Sequence, residues 1–347
     1  MMLEAQQTRI EWIDALKGLG ISLIVLGHVW SLEQPPEFYV WLFAFHVPVF
    51  FFASGLTLRP DKTALFGFLR RRTVQLMLPY LVYALLGYVF YLIGYGLSRN
   101  LSVAPAAFDY GLLRPLIGIL EGRVGDGRLV NSPVWFLPAL LIALGLTHGI
   151  NRLVRNHTLR LSLIVGLSGS ALLLAERVVT PLGLSTGVIA ILFVQLGYEY
   201  RQRGYPSPNT DAYTIALLMV TLLISLFARA NGPVGLAGPT VNNPALFVLF
   251  AINGIAVCVM AVRLAPSAVQ RLLAAIGHHS LAILVTHMLI IKSLKVMLSL
   301  AGGVSFYDIE HSLPLGLVVL AATAVLSIPT VWFIERWLPW SLGRFSR

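Results

Sequence analysis

Charge is what this chain has least of. Only 12% of its 347 residues are charged, against 57% that are hydrophobic. A soluble domain carries roughly 25% charged residues, so a water-facing globular surface is excluded. Cysteine is nearly absent as well. Cys258 is the single one, which rules out an intramolecular disulfide and leaves the redox compartment open. Strict alternation of polar and apolar residues is missing, which argues against a closed β-barrel, the other way for a backbone to satisfy itself in lipid. The first apolar run, 19–30, lacks a small-residue cleavage site and runs directly into Glu33-Gln34-Pro35-Pro36, so it reads as a retained helix. No fixed-period repeat and no separate soluble domain is visible, so residues 1–347 read as a single transmembrane domain.

What is present is a series of long apolar runs, with a mean hydropathy of +0.80. A helix needs about 20 apolar residues to cross a hydrocarbon core about 30 Å thick. Hydropathy predicts ten spans, near 14–31, 38–58, 73–97, 133–150, 161–176, 183–200, 211–229, 244–263, 280–300 and 314–334. The fold class expected is therefore all-α and polytopic. The formal charge of +10 reflects topology better than nucleic-acid binding. With both termini placed in the cytoplasm, inside segments hold 17 of the 25 Lys and Arg residues and outside segments hold 6. That bias predicts a multi-pass plasma (inner) membrane protein with an even number of spans. The longest outside loop, 98–132, is of a length usually functional or mobile.

Ionisable residues inside spans are costly and each needs a reason. Asp14, Lys17 and His28 fall in the first span. Lys17 and His28 are 11 residues apart, and 11 steps of 100° end about 20° from whole turns, so both project from one face, about 16 Å apart. Lys17 would snorkel or bind an anion. His28 would bridge helices or accept a proton from a hydroxyl. His46 precedes Val47-Pro48, where proline breaks the helical ladder. His287, Lys292 and Lys295 fall in the ninth span, and the lysines call for a water-filled cavity or an anionic partner such as Glu176 or Glu199. Trp135 and Phe136 suit either an aromatic belt or stacking on a sugar. Arg70-Arg71-Arg72 reads equally as a topology anchor and as a phosphate site.

These segments together resemble a known family. Arg9-x-x-Trp12-Ile13-Asp14-Ala15-Leu16-Lys17-Gly18, followed by Leu26-Gly27-His28, is similar to the opening of the acyltransferase-3 family, whose motif sets a basic residue ten positions before a histidine. Phe45-His46-Val47-Pro48, Leu78-Pro79-Tyr80, Pro133-Val134-Trp135-Phe136-Leu137-Pro138, Ser280-Leu281 and Thr286-His287-Met288 extend the resemblance in order. The fucose 4-O-acetylase-like branch is the most similar. The resemblance implies transfer of an acyl group, most often acetyl, from cytoplasmic acyl-CoA to a hydroxyl of a surface or exported polysaccharide, conceivably lipid-linked. It implies His28 as catalytic centre, Lys17 and Asp14 as its companions on the first span, and Arg70, Arg71 and Arg72 as donor-binding residues. The family often carries a second arginine three positions on, where this chain has Gln75. His46, Trp135 and His287 are expected near the acceptor. Acetyl-CoA is the expected donor, no metal is expected, and no nucleic acid is expected as partner. A transporter or flippase of a glycan precursor is the competing expectation, since it too would carry intramembrane charges, although the paired broken helices of such proteins are not evident.

Overall fold

The computed structural model describes residues 10–31, 36–98, 110–178, 180–205 and 211–345. Arg9 of the opening motif, Glu33-Gln34-Pro35 and residues 99–109 of the long loop lie outside them. The described residues form fourteen α-helices and no strand. They are α1 (Glu11–Leu26), α2 (Glu37–Phe43), α3 (His46–Gly55), α4 (Leu65–Ser98), α5 (Leu113–Glu121), α6 (Phe136–Leu153) and α7 (His157–Leu174). After them come α8 (Leu184–Gln202), α9 (Ala212–Leu226), α10 (Pro244–Leu264), α11 (Ser267–His278), α12 (Ser280–Gly302), α13 (Phe306–His311) and α14 (Leu313–Trp337). Among the described residues nine segments are long and apolar enough to cross a membrane, the α2–α3 pair counting as one. α1 has 16 residues, about 24 Å at 1.5 Å per residue, and its chain continues through a turn to Ser31. The chain is a multi-pass all-α membrane protein, and each of the ten expected spans has its helix.

Three departures from the expected spans have local causes. Pro48 has no N–H to give the carbonyl of residue 44, and its ring crowds that carbonyl. The helix accordingly breaks at Ala44-Phe45, with Phe45 at φ −140°, and restarts at His46. α4 begins at Leu65, two turns earlier than hydropathy places it, because Arg70, Arg71 and Arg72 continue the helix outward from the apolar stretch. The long loop carries α5, and Arg128 ties it together through Glu121 (3.0 Å) and Asp126 (2.8 Å).

Two crossings bring helix backbones into direct contact. A Cβ on Gly18 would run into the carbonyl of Leu273, and one on Gly277 into the carbonyl of Asp14, so α1 and α11 pack glycine against backbone. Gly55 on α3 and Gly197 on α8 repeat the arrangement against Val194 and Phe52. With lipid outside as apolar as the interior, such close approach maximises dispersion contact where no hydrophobic drive between helices exists. Helix starts are capped conventionally. Asn156, Asp211, Asn243, Ser305 and Ser312 each accept a backbone N–H of the first turn of the helix that follows. The N–H and hydroxyl of Thr214 hold the Asp211 carboxyl below the usual carboxylate range.

Candidate functional site

α1 does not run on to His28. Its last turn tightens, so that the His28 N–H bonds to Val25 O (3.1 Å) and the Val29 N–H to Leu26 O (3.4 Å). That leaves the Ile24 carbonyl without its usual partner, and the His28 ring supplies one, Nδ1 lying 2.7 Å from Ile24 O. Tyr39 completes the cap, donating its hydroxyl to Leu26 O and accepting the Trp30 N–H, both at 2.8 Å. His28 thus stands in a braced turn just beyond α1 and not on a continuous helical face with Lys17.

The same device holds two more histidines. His46 Nδ1 lies 3.0 Å from Leu42 O, and His287 Nδ1 lies 2.9 Å from Ile283 O. A carbonyl oxygen only accepts, so in each neutral ring the proton sits on Nδ1 and the lone pair on Nε2. The His28 and His287 rings meet edge to face with centroids 5.2 Å apart. His287 is completely buried and its Nε2 has no hydrogen-bond partner among the described residues. His46 is buried against Phe43, centroids 4.5 Å apart. His28 differs from both. It is half-buried, where His46 and His287 are fully enclosed.

The lysines of α12 find partners other than those expected. Lys292 Nζ donates to Val130 O (2.6 Å), and Lys295 pairs with Glu310 (2.8 Å). Glu176 instead accepts the backbone N–H groups of Val241 and Asn242, and Glu199 accepts from Gln195. Asn131 is fully buried and bridges α4 to α12, donating to Tyr83 O and Val285 O.

A cavity of about 360 Å³ opens near the start of α1. Asp14 and Lys17 line it from α1, Phe50 and Ser54 from α3, Arg72 and Gln75 from α4, Phe136 from α6, and Leu284 from α12. Lys17 pairs with Asp14 at 3.4 Å. Arg72 donates to Gln75 Oε1 at 3.1 Å, while its buried Nε has no partner among the described residues. Phe50 lies four residues from His46 and Leu284 three from His287, so the cavity wall comes within about 6 Å, one helical turn, of those two positions along their helices. Arg70 and Arg71 are exposed and do not line it. Trp135 is 7% exposed and packs on Phe136, inside the bundle and away from any belt.

The third cation of this cavity escaped the sequence reading. After α14 the chain makes a short turn, Pro339–Leu342, and folds back on α4. Ser341 pairs with the Tyr83 hydroxyl (3.0 Å), and Gly343, at φ +67°, sits against Gln75 where a Cβ would meet its Cα at 2.7 Å. Arg344 is thereby placed on the cavity wall with His278. Its only sequence signal was a glycine before a terminal arginine. Glu335 holds Arg344 at 2.8 Å and His279 at 2.8 Å. His278, His279 and Glu335 place potential ligand atoms within 4.8 Å of one another. Both carboxylate oxygens of Glu335 are already engaged, Oε1 by Arg344 and Oε2 by His279.

Residues 10–334 match a family described as an acyltransferase domain, Acyl_transf_3. No curated protein and no solved structure matches the chain.

Proposed function

The chain belongs to the acyltransferase-3 family, and from that premise we propose that it is an O-acetyltransferase. The donor is acetyl-CoA, taken from the cytoplasm of a cell bounded by this inner membrane. The acceptor is a hydroxyl of a surface or exported polysaccharide, as for the fucose 4-O-acetylase-like branch. Both termini then lie in the cytoplasm. The observation that carries the reading is the half-buried His28 ring, whose Nδ1 is committed to Ile24 O, which leaves the Nε2 lone pair as a base, with His287 beside it.

The chemistry follows from that lone pair. As the acceptor oxygen attacks the thioester carbonyl, Nε2 takes its proton; the C–O bond forms, the C–S bond breaks, and the imidazolium returns the proton to the leaving thiolate. The alternative is attack by Nε2 itself, giving an acyl-imidazole that the hydroxyl then resolves. Release of CoA by the purified protein without acceptor, in an amount equal to the enzyme, marks the second route, and its absence marks the first. The His287 Nε2, without a partner among the described residues, supplies an acceptor for the His28 imidazolium.

Lys17, Arg72 and Arg344 bind the phosphates of the donor in the cavity at the start of α1, with Asp14 orienting Lys17. Arg70 and Arg71 serve as membrane anchors. His46 supports the ring pair from the broken α2–α3 segment, and Trp135 shapes the wall through Phe136. The test is CoA release by the purified full chain given acetyl-CoA and deacetylated cell-surface glycan. Acceptor-dependent release supports the reading. Translocation of glycan with no CoA released would make the protein a carrier.

A further inference from the structure

A second cavity, of about 560 Å³, lies apart from the histidines and from the Lys17–Arg72 cavity. α8 forms its floor from Leu192 to Gln202, with its cap residue Arg203 at the end, and α7 and α10 form its sides. Eleven residues of α8 make it roughly 16 Å long, which is one leaflet of a hydrocarbon core about 30 Å thick. The walls are aliphatic and aromatic, with Ile164, Leu196 and Ala256 facing the space, and Val165 on its α7 edge is 59% exposed. The groove therefore opens sideways, at the depth of lipid chains.

Its charged groups are confined to one end. α7 starts there, and α8 and α10 finish there, bringing Arg160, Arg203 and Arg263 to the same level of the bundle. The one carboxylate, Glu199, is already engaged by Gln195 at 2.7 Å, His157 at 3.4 Å and Arg160 at 3.6 Å. Arg160 keeps a buried Nε with no partner among the described residues, and Arg203 lines the mouth and is exposed. The mouth thus offers guanidinium donors in excess of its single, satisfied anion. A water-soluble ligand would gain nothing from the aliphatic length, and a neutral amphiphile nothing from the arginines.

We propose that this groove is a binding site for an anionic phospholipid, one acyl chain lying along α8 and the phosphate held by Arg203 and Arg160. Such a site is independent of the acyl-transfer chemistry. Basic pockets between transmembrane helices on the positively flanked side suit anionic headgroups.

The experiment is native mass spectrometry of the delipidated full chain, titrated with phosphatidylglycerol or phosphatidylcholine of identical chains. The wild type is expected to retain phosphatidylglycerol at about tenfold lower concentration than phosphatidylcholine. Arg203→Gln, which alters only an exposed side chain, is expected to erase most of that difference. Ala256→Phe, which fills the groove, is expected to reduce both adducts to the level of detergent background. Equal retention of the two lipids by the wild type, or a preference unchanged in Arg203→Gln, overturns the proposal. If Ala256→Phe does not insert, the Arg203→Gln comparison alone decides.

Discussion

Arg72 differs from Arg70 and Arg71 in where a 100° rotation per residue sends its guanidinium. Three consecutive helical residues cannot share a face, and only Arg72 reaches the cavity, where Gln75, one turn on, stands in contact with it. The charge of the trio was plain in the sequence, but which member turns inward depends on the phase of α4 against α6 and α12. Arg72→Gln is accordingly expected to raise the KM for acetyl-CoA about tenfold, the worth of a charge-assisted phosphate contact, while Arg70→Gln and Arg71→Gln leave it near the wild-type value. Arg344→Gln should behave like Arg72→Gln, and Arg336→Gln, an exposed neighbour outside the cavity, like wild type. Steady-state kinetics on the five variants checks this. The histidines were legible as residues of interest, because ionisable groups inside apolar runs need partners. Their pairing was not, since His28 and His287 are 259 positions apart in the chain and only tertiary packing brings their rings to 5.2 Å.

At the scale of elements, the long apolar helices were readable from composition, and their interruptions less so. The α2–α3 break was signalled by Pro48 but falls at Ala44-Phe45, where the missing hydrogen bond is felt. α11 gave no span signal because its 12 residues are too short to cross. It matters because Gly277 lies on Asp14 and Gly18 on Leu273, which fixes the end of α1 that carries Lys17. Gly277→Ala must push the two backbones apart, and overpacking of this kind costs about 1–3 kcal/mol. Its thermal midpoint in detergent should fall, whereas Gly166→Ala, on a face of α7 with open space around it, should leave the midpoint unchanged or raise it.

For the whole molecule, the division between a cation-lined cavity at one level and a histidine pair at another sets out what an enzyme reached from two sides requires. The positive bias of alternate loops was available from residue counting alone; the meeting of α1, α3, α4, α12 and the C-terminal turn around one space was not. Orientation is open to direct measurement. In a Cys258→Ser background, Arg71→Cys and Arg155→Cys should label with an impermeant maleimide only after the membrane is opened. Arg114→Cys and Asn242→Cys should label in intact cells. Labelling of all four from one side would dismantle the ten-span topology.

The central claim is that His28 Nε2 takes part in the bond-making step, and the acetate content of surface glycan in cells carrying His28→Ala tests it most directly. With the variant present in the membrane at wild-type level, the account predicts at least a hundredfold loss, at the lower bound of what a positioned acid–base or nucleophilic imidazole contributes. Wild-type acetylation by a correctly inserted His28→Ala protein would contradict it.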